Sequence, residues 1–185
     1  MAISSQLPAL ETVFSPQEIG VRVAEMGRAI TLDYQDLLAP EEPLLVIGIL
    51  NGAFIFLADL VRNLDLPVQI DFVRLSSYQN QTEASTHVVM LKNLEKEVKG
   101  RHVLVAEDIA DYGLTLAWLL EHLRRKKPAS LKLAVAVNKT ARRRVEIPLD
   151  YIGFTVEDGF LVGYGLDYAE KYRQLPGIYV LKTPQ

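Results

Sequence analysis

The sequence predicts an α/β domain built on a central, mostly parallel, twisted sheet with helices on both faces. Three observations carry this. Short continuous apolar runs, such as Leu44–Leu50 and Val103–Ala106, read as strands buried on both faces. Segments with helical spacing of apolar residues lie between them, so strand, loop and helix follow in series. Acidic, glycine and hydroxyl residues stand directly after the apolar runs, where open parallel sheets bind their ligands.

Each element follows in order. Ser15, Pro16 and Glu18 form a helix start: a capping hydroxyl, a proline at the first helical position and a capping-box glutamate. Ile19, Val23, Met26 and Ile30 then recur at three- and four-residue steps, giving an amphipathic helix to about Asp33. Pro43 leads into the Leu44–Leu50 strand, and Asn51-Gly52 signals a turn. Ala53 to Leu64 reads as a second helix with Phe54, Leu57, Ala58 and Val61 inward. Val68 to Leu75 is a strand. Ser76 to Thr86 is polar and aperiodic, a long loop of the kind that serves as a lid, and Val88 to Leu91 returns from it as a strand. His102 to Ala106 is a buried strand, Glu107 to Thr115 a loop, and Leu116 to Arg125 a helix. Leu131–Val137, Tyr151–Phe154 and Ile178–Leu181 complete the strands.

Composition bounds the function. The chain has 185 residues, 49% hydrophobic and 23% charged, which suits one domain able to bury a core. It has no cysteine, so disulfides and thiolate metal sites are excluded. His87, His102 and His122 form no i,i+4 metal pair. A net charge of −3 and a pI of about 5.7 provide no basic footprint for nucleic acid. The runs Arg124–Lys127 and Arg142–Arg144 read as solvated helix ends or loops. No apolar run approaches the ~20 residues of a membrane helix, and no secretion signal is legible. The expected compartment is the cytoplasm, and neither nucleic acid nor membrane is an expected partner.

The densest chemistry lies in Val103–Leu116. Apolar residues run into Glu107 and Asp108; Asp111 follows, then Gly113, Thr115 and a helix. Carboxylates accept hydrogen bonds from vicinal ribose hydroxyls, directly or through a metal. Gly113 admits close backbone approach, and the N–H groups opening the helix, with the Thr115 hydroxyl, favour a phosphate dianion. Three carboxylates at one strand end repel one another, which calls for a cation or a polyhydroxyl ligand.

This segment resembles the phosphoribosyl pyrophosphate (PRPP) signature of type I phosphoribosyltransferases. From about Ile19 to Leu181 the chain resembles the hypoxanthine-guanine phosphoribosyltransferase family. The further matching pieces are Gly48–Phe54 with Phe56–Leu60, Asp71–Val73 with Ser77-Tyr78, and Val162–Tyr168. The resemblance implies the type I phosphoribosyltransferase fold as a single domain, 1–185. Its small hood would come from roughly 1–18 and 151–185, and its flexible lid loop from roughly 75–88. It also implies purine salvage: transfer of the 5-phosphoribosyl group from PRPP to hypoxanthine or guanine, giving IMP or GMP and pyrophosphate.

Carried over residue by residue, Glu107 and Asp108 hold the ribose, and Asp111 is the catalytic acid/base near N7 of the purine. Asp111, Tyr112, Gly113, Leu114 and Thr115 wrap the 5′-phosphate. Leu50, Asn51 and Gly52, often joined by a non-proline cis peptide in relatives, bind pyrophosphate together with Arg173. Lys139, Phe160, Leu161 and Asp167 form the purine site, and Ser77 and Tyr78 belong to the lid. Mg²⁺ is the implied cofactor, with Glu107, Asp108 and Asp167 as its ligands. The implied assembly is a homodimer or homotetramer, with the apolar segment Phe54 to Leu60 as a subunit contact.

Three positions depart from the family pattern. Tyr112 stands where relatives mostly carry threonine or serine, Asn51 where lysine or arginine is common, and Leu114 where a polar or basic residue is usual. They leave room for a weak or altered enzyme; the alternatives are xanthine or another base as the substrate, or a nucleotide-sensing regulator without turnover. No Gly-x-Gly-x-x-Gly follows an expected strand, so a dinucleotide-binding domain is excluded.

Overall fold

The computed structural model describes residues 10–39, 41–79 and 86–182. Its elements are β1 (Leu10–Phe14), α1 (Pro16–Tyr34), β2 (Leu44–Leu50), α2 (Phe54–Arg62), β3 (Val68–Gln79) and β4 (Thr86–Lys92). They continue with β5 (His102–Ala110), α3 (Leu114–Arg125), β6 (Ser130–Lys139), β7 (Tyr151–Val156), β8 (Leu161–Val162) and β9 (Ile178–Leu181). Six strands form one sheet in the order β4-β3-β2-β5-β6-β7. All neighbours in it are parallel except β3 and β4, which pair antiparallel at the edge.

Alternation along the strands feeds two cores. Val46, Leu104 and Ala134 face α1 and α2, meeting Ile19, Val23, Met26, Ile30, Phe56, Leu57 and Leu60. Leu45, Ile47, Val103, Val105, Leu133 and Val135 face α3, meeting Leu116, Leu119, Leu120 and Leu123. The helices therefore cover both faces, and continuous apolar runs are required in the central strands. The capping box of α1 forms as the sequence indicates: Glu18 N–H donates to Ser15 Oγ, and Ser15 N–H to the Glu18 carboxylate at 2.8 Å.

Several expectations need correction. The buried face of α2 is Phe56, Leu57 and Leu60; Phe54 is 45% exposed and Ala58 points outward. The helix is short and packs through the i, i+1, i+4 positions Phe56, Leu57 and Leu60, which its largely apolar sequence does not reveal. The expected long loop Ser76 to Thr86 is partly strand: β3 runs on to Gln79 and pairs with β4 in the register Ser77↔Val88, Tyr78↔His87, Gln79↔Thr86. Serine, tyrosine and threonine tolerate an edge hairpin without an apolar pattern. The rest of the expected lid, 80–85, lies outside the described residues.

The acidic segment is also more ordered than a loop. β5 continues through Glu107, Asp108, Ile109 and Ala110 because β6 lies alongside it, with Glu107↔Val135 and Ile109↔Val137 in register. Only Asp111–Gly113 link β5 to α3, which already includes Leu114 and Thr115.

A second, three-stranded sheet, β1-β9-β8, was not foreseen as such. β1 and β8 are too short to carry a pattern. β7 belongs to the main sheet, so the second sheet draws on residues 10–14 and 161–181 rather than on everything from 151 onward. Phe14 stacks on Phe154 with ring centroids 4.0 Å apart, joining the small sheet to β7.

Candidate active site

Three chain segments meet at the carboxyl end of the main sheet. After β2, the Leu50–Asn51 peptide is cis and the chain turns through Gly52 into α2. Any Cβ at Gly52 would lie 1.7 Å from Asp108 Oδ2, and any Cβ at Gly165, whose φ is +101°, would lie 2.1 Å from Gly52 O. Glycine is thus required at both positions, and the β2 turn is held between the end of β5 and the segment leading to β9.

Neighbouring strand residues project to opposite faces, and this separates the two acids of the pair. Glu107 points toward the N-terminus of α3. There it lines a cavity of about 260 Å³ with Ile49, Leu50, Ile109, Asp111, Tyr112, Gly113, Leu114 and Thr115. Asp108 lies against Gly52, and Ile109 N–H donates to its Oδ1 at 2.8 Å. Burial, followed by the charge of Asp108, pushes the Glu107 carboxyl well above its ordinary pKa. Burial also raises Asp108, to about 6, against the opposing pull of the Ile109 N–H and the Arg173 guanidinium. Both acids thus carry an electrostatic load that a cation relieves.

The cavity ends on the first turn of α3. Gly113 occupies the N-cap with φ +85°, no side chain caps the helix and no acid stands in its first turn. The N–H groups of that turn have no intrahelical acceptors, so this end carries uncompensated positive dipole. The Tyr112 ring lies beside the cavity with the Arg144 guanidinium 5.0 Å from its centroid.

On the other side stands Lys139, the last residue of β6 and only 4% exposed. Its Nζ is 3.8 Å from Asp111 Oδ2 and 3.1 Å from Asp158 Oδ1. Phe160, 49% exposed, makes an edge contact with Tyr168 at 5.3 Å. Leu181 N–H donates to Phe160 C=O, so Leu161–Val180 is a non-hydrogen-bonded pair; the Leu161 carbonyl points off the free edge of the small sheet. Arg173 donates to Gly165 C=O at 2.8 Å and pairs with Asp167 at 2.9 Å, while Glu170 N–H occupies the other Asp167 oxygen.

Glu107 Oε2, Asp111 Oδ1 and Arg173 Nε are buried without a hydrogen-bond partner among the described residues. Ser77 and Tyr78 sit on the β3–β4 hairpin, and only their backbone is described.

The expected metal set does not assemble from side chains alone. Among the described residues, no group of three or more acids or histidines is gathered to hold a metal ion. The reason is geometric: Glu107 and Asp108 face opposite sides of the strand, and both oxygens of Asp167 are engaged by Arg173 and Glu170.

Sequence reasoning missed Arg143, which was read as part of a solvated basic run. Its guanidinium donates to Asp111 C=O at 2.9 Å, Ala110 C=O at 2.9 Å and Asn138 Oδ1 at 2.6 Å. Arg144 N–H donates to Tyr112 C=O. The turn after β6 thereby clamps the loop between β5 and α3. The one sequence signal was indirect: five donors in a turn that follows a strand carrying the site.

A doubly covered, mostly parallel sheet with acids at the end of β5, an open helix start beyond them and a small second sheet over the strand ends defines the type I phosphoribosyltransferase class. Comparison narrows it. Residues 18–169 match the phosphoribosyl transferase domain family. Hypoxanthine-guanine phosphoribosyltransferase of Bacillus subtilis is 44% identical over 172 residues, 93% of each chain. The structure of a Trypanosoma cruzi hypoxanthine phosphoribosyltransferase variant in a ternary substrates complex superposes with a TM-score of 0.89 at 38% identity, covering 95% of this chain and 96% of that one. A second T. cruzi structure concerns the role of the C-terminal region in that enzyme's oligomeric state and activity; it gives a TM-score of 0.90 at 36% identity, covering 98% and 95%. This chain belongs to the hypoxanthine-guanine phosphoribosyltransferase family.

Proposed function

We propose that this protein is a purine-salvage enzyme that transfers the 5-phosphoribosyl group of PRPP to hypoxanthine or guanine and releases pyrophosphate. The observation that supports this best is the set of buried polar atoms without partners, Glu107 Oε2, Asp111 Oδ1 and Arg173 Nε, around one sheet end. Such groups are costly unless a ligand completes them.

In this reading the 5′-phosphate sits at the start of α3, on the N–H groups of Tyr112 to Thr115 and the Thr115 hydroxyl, with Asp111 contributing backbone. Tyr112 adds a phenolic donor where the family has a smaller hydroxyl. Glu107 and Asp108 accept from the ribose hydroxyls and fix the sugar with its anomeric carbon exposed. Leu50, Asn51, Gly52 and Arg173 receive the pyrophosphate. Asn51 supplies no charge, so Arg173 is the cation this chain itself provides there. The base stacks on Phe160, with its 6-oxygen on Lys139 and its edge on the Leu161 carbonyl, while Asp167 fixes Arg173. Bond breaking builds positive character at the anomeric carbon, which the nearby carboxylates stabilise. Asp111 takes the proton from the purine nitrogen as that atom attacks.

Mg²⁺ fits the donor set. Glu107 Oε2 has no hydrogen-bond partner among the described residues, and burial disfavours the Asp108 charge. Magnesium is usually held by one or two carboxylates, with substrate oxygens and water completing the octahedron. Because they face opposite sides of β5, one of Glu107 and Asp108 would hold it while the other acts through the ribose hydroxyls, with Asp167 reaching it only after leaving Arg173. When bound, the ion neutralises charge on the departing diphosphate.

A homodimer or homotetramer is the proposed assembly. Phe56, Leu57 and Leu60 are committed to the chain's own core, which leaves Phe54 and Ala58 as the exposed apolar members of that segment available to a partner. No described helix is long and apolar enough to cross a membrane; the cytoplasm is the proposed compartment.

A pyrophosphate-release assay with hypoxanthine, guanine, xanthine, adenine and uracil, with and without Mg²⁺, tests the reading. Turnover is expected with hypoxanthine or guanine and should disappear without the metal. Turnover confined to xanthine, adenine or uracil, or PRPP binding without turnover on any base, would overturn it.

A further inference from the structure

The ion pairs around Lys139 extend beyond the residues given roles above. Asp158 Oδ1 is 3.1 Å from Lys139 Nζ and 3.5 Å from Arg142 Nε. This makes a chain of alternating charge, Arg142–Asp158–Lys139–Asp111, that runs from the surface to the end of β5. The backbone fixes the chain's geometry. Thr140 N–H donates to Val156 C=O at 3.1 Å and Ala141 N–H to Glu157 C=O at 2.9 Å, which fastens the end of β6 to the turn after β7. Gly159, with φ +120°, then reverses the chain so that Phe160 and the Leu161 carbonyl follow Asp158 directly. The turn that carries Asp158 is therefore the turn that presents the proposed base-binding groups.

We propose that Asp158, backed by Arg142, is a positioning residue that sets the preference for a 6-oxopurine by holding the Lys139 ammonium in place. The inference rests on the proposed reaction and deepens it.

Lys139 is almost fully buried, so its charge requires a counter-ion. Asp111 is the nearer partner in function but, at 3.8 Å, is beyond hydrogen-bond reach. Asp158 supplies the compensation without consuming Asp111, which stays free to accept the purine proton. An ammonium has three donors, so Lys139 keeps one for a 6-oxygen while bound to Asp158. A 6-amino group presents donors to the same ammonium and is repelled. Without Asp158, Lys139 turns onto Asp111 and leaves the base.

Asp158 is half exposed, with a side-chain exposure of 53%, so its replacement leaves the core intact. The test is steady-state kinetics of the full chain carrying Asp158→Asn, Asp158→Glu or Arg142→Ala, with melting curves to check folding. For Asp158→Asn, KM for hypoxanthine and guanine should rise about tenfold, the scale of one charge-assisted hydrogen bond. KM for PRPP should change less than twofold. The ratio of the adenine inhibition constant to the hypoxanthine KM should fall by about the same factor of ten. Asp158→Glu should recover most of the loss, and Arg142→Ala should show the same pattern more weakly. Equal rises in both KM values, or an unchanged adenine-to-hypoxanthine ratio, would overturn the assignment while leaving the proposed reaction standing. Absence of 6-oxopurine turnover in the wild type would instead overturn that reaction, and this inference with it.

Discussion

At the residue scale the site is a problem in charge placement. Asp111 keeps one oxygen without a partner and lies 3.8 Å from Lys139, so the proposed base stands near a cation without being tied to it. Asp111→Asn preserves shape and removes basicity, so kcat should drop by ~10²–10⁴ with hypoxanthine. Unchanged kcat would remove Asp111 from the chemistry. Asp108 predicts a different signature. Its pKa rises from 3.8 to about 6 on folding, so its ionisation opposes folding, and the penalty grows through that interval and is full above it. Asp108→Asn should therefore stabilise the ligand-free protein at pH 8 by about 1–3 kcal/mol, measured by urea unfolding, while weakening PRPP binding. A destabilised variant at pH 8 contradicts the burial argument. The composition of this acidic cluster was legible in the sequence. The opposite directions of Glu107 and Asp108 were not, because they depend on β5 continuing as a strand, and that depends on β6 lying beside it.

At the element scale, polar side chains fasten strand ends to turns. Asp71 on β3 is buried, and it accepts from Phe72 N–H at 2.7 Å and from Glu95 and Lys96 N–H at 2.8 Å. Burial alone would raise its pKa; the three N–H donors and Lys92, 3.6 Å away, outweigh it and leave the pKa below 3.8. The sign follows: the stabilisation is present above the unfolded value and disappears as pH falls through the lower folded one. Asp71→Asn should cost about 1–3 kcal/mol at pH 7, and the gap to wild type should narrow by pH 3 in urea melts. A gap that widens toward pH 3 would exclude the carboxylate as the stabilising species.

Arg143 fastens the turn after β6 to the loop between β5 and α3 through a planar fork that lysine does not reproduce. Arg143→Lys should leave the melting curve within about 1 kcal/mol of wild type while raising KM for PRPP, since the proposed 5′-phosphate loop loses its clamp. An unchanged KM argues against that coupling. Elements with strong periodicity or continuous apolar runs, such as α1, β2 and β9, were legible in the sequence with their ends. The polar extension of β3 to Gln79 was not, since it carries no apolar pattern, and β1 and β8 were not, since they are too short to carry one.

At the scale of the whole molecule, one sheet serves two cores and ends in one site. The central order β3-β2-β5-β6-β7 puts the Leu50 turn, the acids of β5 and Lys139 of β6 at a common edge. The segment between β8 and β9, through Gly165 against Gly52, brings Arg173 to the same edge, and the turn before β8 brings Phe160. That convergence gathers residues spread from Leu50 to Arg173 into the proposed site, and no local pattern in the sequence announces it. The ordered series of family motifs did, because their spacing reflects this topology.

The central claim is that the β5 acids and the open start of α3 together hold an activated ribose phosphate. Calorimetric titration of the wild-type chain with PRPP in the presence of Mg²⁺ tests it most directly. Saturable binding of one PRPP per chain, weakened when Asp108 is replaced by alanine, is the predicted result. A titration that shows no saturable binding, or binding indifferent to that replacement, contradicts the account.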